Sequence, residues 1–157
     1  MINKIVDDFK VPIIKKGVSS VSSLKNEFIN KKIILFGVPG AFTPTCSEKH
    51  FPGYIKLYKL FKNKKIDDIY CLSVNDEHVM KSWLVSYTDG EMINGIADGN
   101  AEITKYFDLI TDKTKSYMGY RCRRFAMIID NNVIINKFIE NDGEYNVSSA
   151  EYILEQI

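Results

Sequence analysis

An α/β fold, a central mixed sheet flanked by helices, is predicted by three features of the sequence. Continuous apolar runs recur along the chain, helix-compatible stretches separate them, and a hairpin signal joins the last two runs.

Residues 33–38, IILFGV, follow Lys31 and Lys32 and close on Pro39-Gly40, the pattern of a strand buried on both faces. The stretch 44–61 predicts the first long helix, with Phe51, Tyr54, Ile55 and Tyr58 as its apolar stripe. Residues 66–74, IDDIYCLSV, predict a second strand, and 76–87 and 101–107 two further helices. FAMIID and NVIINKFI predict two more strands, joined at Asn131-Asn132, residues that tolerate the left-handed backbone of a tight hairpin. A closing helix is expected over 149–156, where Ser148 and Glu151 stand three apart as in a capping box. No repeat, linker or low-complexity segment interrupts this order, so one domain is expected over residues 1–157.

The chain is 45% hydrophobic and 26% charged, which suits one continuous core. Lys plus Arg number 21 against 20 for Asp plus Glu, with no long block of either sign. That balance argues against nucleic acid or an anionic membrane as partner and favours small molecules or proteins. The N-terminal MINKIVDDFKVPIIKKG scatters charge through every apolar run, unlike a signal peptide or a membrane span. A cytoplasmic location is expected, and an organelle fits equally if a transit peptide has been removed. Cys46, Cys71 and Cys122 match neither a disulfide framework nor zinc-ligand spacing, so free thiols and no metal are expected.

The stretch GVPGAFTPTCSEKHFPGY, residues 37–54, concentrates the chemistry. Thr43 is a good N-cap and Pro44 suits the first helical position, which puts Cys46 third in the helix. There its N–H lacks an intrahelical partner and its sulfur meets the positive end of the helix dipole, a setting that favours thiolate. A free cysteine is also commonly a small buried apolar residue. The position just beyond the carboxyl end of a strand is where open α/β folds place their sites. Pro52 lacks a donor for the Glu48 carbonyl, so a loosened turn is expected just after Cys46.

Pro39, Thr43 and Cys46 match a Pro-x-x-x-Thr-x-x-Cys signature. With IYCLSVNDEHVMKSW, RCRRFAMIIDNNV and NDGEYNVSSAEYIL, the chain resembles the type II peroxiredoxins, the atypical, peroxiredoxin-five-like subfamily. The resemblance implies a thioredoxin-like fold and a thiol-dependent peroxidase acting on hydrogen peroxide and organic hydroperoxides, with no bound cofactor. It implies that Cys46 is the peroxidatic nucleophile, that Thr43 contacts sulfur and peroxide, and that Arg124 completes the site. Pro39, Gly40, Phe42 and Trp83 are the expected pocket residues, Phe42 and Trp83 being equally compatible with core.

Strand alternation sets Arg124 on the opposite face from Arg123, and surface ion pairs are expected for Arg121 and Arg123. Cys71 is either core or a resolving cysteine, and bridging to Cys46 would require the first helical turn to unwind. His50, four residues after Cys46, reads as a local polar contact in preference to a base for the thiol. The resemblance favours re-reduction by glutathione with glutaredoxin, with thioredoxin as the alternative, and a homodimer. A redox sensor or chaperone is the competing class, but it would not require the paired donors Thr43 and Arg124.

Overall fold

The computed structural model describes residues 3–157. Lys32–Val38, the third strand (β3), runs through the centre of a seven-stranded sheet and is buried from Ile33 onward. It pairs in parallel with β4 (Asp68–Ser73) and antiparallel with β8 (Phe125–Asp130). Beyond β4 lie β5 (Asn94–Ala97), β1 (Lys10–Lys15) and β2 (Val18–Ser23), and beyond β8 lies β9 (Val133–Ile139). A separate two-stranded ribbon joins β6 (Ile110–Asp112) to β7 (Tyr120–Cys122).

Alternation along β3 divides the core. Ile34, Phe36 and Val38 face the layer containing α2 (Phe51–Asn63), α3 (Glu77–Val85) and α5 (Ala150–Glu155). Ile33 and Leu35 face the layer containing α1 (Leu24–Phe28) and α4 (Glu102–Tyr106). Gly37 sits in this packing without a side chain because a Cβ there would lie 2.1 Å from the Phe125 ring. The absent side chain lets β8 approach, and with it Arg124, the residue before Phe125.

The β8–β9 hairpin forms where expected, with Asn131 and Asn132 at φ 46° and 67°, both left-handed. The expected helix over 44–61 is instead a short start at residues 44–45, a π-helical turn over Cys46–His50, and α2. The Phe51 N–H donates to the Cys46 carbonyl five residues back, and Pro52, which has no N–H to donate, falls at the second position of α2, directly after this π-helical turn. At α5 the cap is Ser149, whose hydroxyl accepts from the Tyr152 N–H. Ser148 is not the cap, because its N–H and hydroxyl are both taken by the buried Glu140 carboxylate. Among the described residues, no helix is long and apolar enough to cross a membrane.

Candidate active site

The end of β3 feeds a strained turn. Phe42 sits at φ 61°, unusual for a bulky side chain, and the Ala41 N–H is held by the Asn75 side-chain carbonyl at 3.0 Å. Thr43 caps the following turn with its carbonyl, which accepts from the Ser47 N–H at 2.9 Å. Its hydroxyl does not cap; it donates back to the Gly40 carbonyl at 2.6 Å. With that proton committed, the Thr43 oxygen is left as an acceptor.

Cys46 is 1% exposed and lies at the floor of a cleft of about 550 Å³ that Pro39, Thr43 and Arg124 also line. Arg124, at the start of β8, donates from Nη2 to Cys46 Sγ at 3.3 Å. Its Nη1 is 2.9 Å from His50 Nδ1, and since guanidinium only donates, Nδ1 is the acceptor. The His50 proton therefore sits on Nε2, which donates to the Ser148 carbonyl at 3.0 Å. His50 thus holds Arg124, and both of its ring nitrogens are engaged away from the sulfur.

The loop after β9 closes this arrangement. Tyr145 packs edge-on against His50 with ring centroids 5.3 Å apart, and its ring lies 5.9 Å from the Arg124 guanidinium carbon. Its hydroxyl donates to the Lys49 carbonyl at 3.3 Å. Glu140 anchors the loop by accepting from the Asn146 and Ser148 N–H groups.

The expected pocket residues divide. Pro39 lines the cleft, whereas Phe42 is 58% exposed outside it. Gly40 faces Arg121, where a Cβ would lie 2.9 Å from Nη1. Trp83 packs behind the turn that carries Cys46, 4.7 Å from the Phe51 ring, and its Nε1 donates to Ser47 Oγ at 3.0 Å. Arg121 and Arg123 form no ion pairs among the described residues. Arg121 donates to the Met118 and Pro39 carbonyls at 2.8 and 3.3 Å, and Arg123 to the Glu140 carbonyl at 2.8 Å. Nearby turns expose those carbonyls, and a guanidinium satisfies them without a carboxylate.

Cys71 is fully buried in β4, and Cys122 is buried in β7 with its thiol donating to the Arg123 carbonyl. Burial pushes both thiols up, that of Cys71 also through the charge of Cys46. Neither lines the cleft. His50 as support for Arg124, and the parts played by Glu140 and Tyr145, escape the sequence reading, in which only the four-residue spacing of His50 from Cys46 gave a hint.

Two groups make the site sensitive to acid. Desolvation, reinforced by the Arg124 charge, lowers the His50 pKa from 6.5 to about 3. For Glu140 burial acts upward, but the N–H groups of Asn146 and Ser148 outweigh it and hold the carboxyl below its ordinary value. In both cases the unfolded chain binds the proton more readily. Stability is therefore complete above the unfolded His value near 6.5 and falls as pH drops toward about 3, Glu140 adding its loss below its ordinary value of 4.5. Near pH 5 the His50 contribution amounts to about 2 kcal/mol, roughly 4–8 °C in Tm relative to about pH 7.5. Thermal melts at the two pH values check this, with His50→Gln flattening the difference; a wild-type Tm that does not move would contradict a neutral, buried His50.

A family model described as Redoxin matches residues 3–154. Peroxiredoxin-2D of Arabidopsis thaliana is 48% identical over 127 residues, 81% of this chain and 78% of that one. Reduced Prx3 of Vibrio vulnificus in complex with H2O2 matches the fold with a TM-score of 0.93 at 39% identity, over 99% of this chain and 98% of that one. The Plasmodium falciparum antioxidant protein, described as a 1-Cys peroxiredoxin, matches with a TM-score of 0.92 at 36% identity, over 99% and 97% of the two chains. Sequence and fold agree over nearly the whole length, and the chain belongs to the Redoxin family as a thioredoxin-fold peroxiredoxin of the type II, peroxiredoxin-five-like kind, a thiol-dependent peroxidase.

Proposed function

We propose that Cys46 is the peroxidatic nucleophile, that Thr43 and Arg124 serve it, and that glutathione with glutaredoxin returns it to the thiol. The observation that carries this reading is the Arg124 guanidinium, 78 residues away in sequence, placed 3.3 Å from Cys46 Sγ.

Sulfur attacks one peroxide oxygen in line with the O–O bond, which breaks as negative charge gathers on the departing oxygen. Arg124 is positioned to stabilise that charge, and the Cys46 N–H, which precedes the first helical hydrogen bond, can donate as well. The attacked oxygen keeps its proton, and the Thr43 oxygen accepts that O–H because the Thr43 proton is held by Gly40. The products are a sulfenic acid on Cys46 and, after protonation of the departing oxygen, water or an alcohol. A thiol must then reduce the sulfenic acid before it oxidises further.

An external thiol is favoured because Cys71 and Cys122 are buried away from the cleft. The thioredoxin route with Cys71 as resolving cysteine draws on one observation: Cys46 and Cys71 share a core cluster, reachable if the π-helical turn opens. A homodimer through the face beside the cleft fits the exposed Phe42, and free thiols suit a reducing compartment such as the cytoplasm.

Intact-mass measurement after one equivalent of hydrogen peroxide tests the reading. Wild type and Cys71→Ser should each gain one oxygen, and glutathione should convert that product to a mixed disulfide. Loss of two hydrogens that requires Cys71 would transfer the second step to the thioredoxin route, and no modification at Cys46 would remove the peroxidase assignment of that residue.

A further inference from the structure

Arg124 has two attachments that decide where its guanidinium points. Its backbone carbonyl, just before β8, accepts from the Glu140 N–H at 3.0 Å, one step beyond the Phe125–Ile139 pair of the β8–β9 register. Its Nη1 donates to His50 Nδ1 at 2.9 Å, and His50 Nε2 donates in turn to the Ser148 carbonyl at 3.0 Å. Both attachments lead to one residue. The Glu140 N–H holds the backbone end, and the Glu140 carboxylate holds Ser148, accepting from its N–H at 2.9 Å and from its hydroxyl at 2.7 Å. The Glu140 carbonyl also accepts from Arg123 Nη2 at 2.8 Å, so N–H, carbonyl and carboxylate are all committed around the start of β8 and the loop after β9.

A carboxylate is an unexpected group for such a clamp. Glu140 is 2% exposed, and it forms no ion pair among the described residues. Burying a charge without a counter-ion is unfavourable, and an apolar side chain would close the end of β9 without that penalty. What offsets it is the convergence of the Asn146 N–H, the Ser148 N–H and the Ser148 hydroxyl on Oε2. Charge-assisted bonds of this kind are short and geometrically specific, so they fix Ser148 in orientation as well as in place. The Ser148 carbonyl is thereby aimed at His50. A displacement of about 1 Å there would pass through the imidazole to the guanidinium, and misplacement on that scale is enough to slow chemistry strongly.

We propose, resting on the reading of Cys46 as the peroxidatic residue and Arg124 as its donor, that Glu140 is a positioning residue of the peroxidase reaction. Through Ser148 and His50, its carboxylate holds the Arg124 guanidinium at the angle from which Nη2 reaches Cys46 Sγ. Oε2 is committed to the loop, so the effect on the sulfur passes through Arg124. The segment leading into α5 thus contributes to the rate of a reaction at the opposite end of the chain's main helical layer, without supplying a group that reacts.

The test uses the full chain at neutral pH and follows oxidation of Cys46 by hydrogen peroxide as the gain of one oxygen in quenched-flow intact-mass measurements. Glu140→Ala and Glu140→Gln both keep the backbone N–H and carbonyl of residue 140 and remove only the carboxylate. Glu140→Ala should slow oxidation about 10-fold. Glu140→Gln, which matches the carboxylate in size, should slow it about threefold, because the amide oxygen keeps an acceptor in place without the charge. The deciding readout is the coupling to Arg124. Placed in Arg124→Gln, either change should alter the remaining rate by less than about 1.5-fold, since the group it positions is gone. A carboxylate that only stabilises the loop would slow both backgrounds by the same factor, which overturns the proposal, as does a wild-type rate in Glu140→Gln. Should Glu140→Ala not fold, Glu140→Gln carries both arms. If the wild type gains no oxygen on Cys46, or Arg124→Gln oxidises as fast as wild type, the assignment of those residues falls first and the role of Glu140 with it.

Discussion

Cys46→Ser is expected to lose peroxide consumption entirely while keeping the fold. Serine matches the size of cysteine in a site that is 1% exposed, and its oxygen can still accept from Arg124, so stability should change by less than about 1 kcal/mol. What disappears is the thiol proposed as the nucleophile. A serine hydroxyl is far too weak an acid to ionise at neutral pH, and His50, the neighbouring imidazole, cannot serve as its base because both ring nitrogens are engaged by Arg124 and the Ser148 carbonyl. Peroxide consumption in the presence of dithiothreitol, measured beside a thermal melt, checks both halves. Turnover retained by a folded Cys46→Ser would place the reactive thiol at Cys71 or Cys122, against their burial.

Arg124→Gln is expected to slow oxidation of Cys46 by about 10²–10³-fold, the loss typical of removing a charged donor from a site of developing charge. Arg124→Lys should recover only part of it. The guanidinium contacts Cys46 Sγ through Nη2 and His50 Nδ1 through Nη1 at the same time. One ammonium cannot reproduce that planar bridge, so either the sulfur or the imidazole loses its partner. Arg124→Gln leaves the buried His50 Nδ1 unsatisfied unless the amide reaches it, at a cost of about 1–3 kcal/mol. The rate should therefore be read together with Tm. Stopped-flow fluorescence of Trp83, the chain's one tryptophan, which donates to Ser47 beside Cys46, gives a direct trace of the oxidation step. A folded Arg124→Gln that oxidises at the wild-type rate would reduce the guanidinium to a structural contact.

The parts of the fold legible in the sequence are those whose burial leaves a local pattern. Strands β3, β4, β8 and β9 announce themselves as apolar runs, and Asn131-Asn132 marks the hairpin because its geometry demands residues tolerant of positive φ. Strand β2, VSSVSS, has no comparable pattern, since it lies at the sheet edge and takes its order from pairing with β1. Strand β5 is four residues, NGIA, whose opening pair resembles a turn; neighbours on both sides make it a strand. The Ser148 cap fails for a similar reason: Glu140, eight residues earlier, competes for the same hydroxyl.

At the site, Cys46, Thr43 and Pro39 are legible because a tight turn keeps them close in sequence, and Arg124 through the family signature. His50 requires knowledge of where Ser148 lies, 98 residues away. The carbonyl partners of Arg121 and Arg123 are equally invisible, since a backbone acceptor carries no residue type to recognise.

The Ser148 carbonyl accepts from both His50 Nε2 and the Tyr54 hydroxyl, the latter at 2.7 Å. One backbone oxygen thus ties the reactive turn and the first long helix to the segment leading into α5. The sulfur, the guanidinium, the imidazole and this carbonyl form a chain with no free end, so exposing Cys46 to a bulky partner means disturbing the C-terminal segment as well. The turn around Cys46 and the C-terminal segment thus belong to one contiguous hydrogen-bonded unit, the kind of group expected to open together.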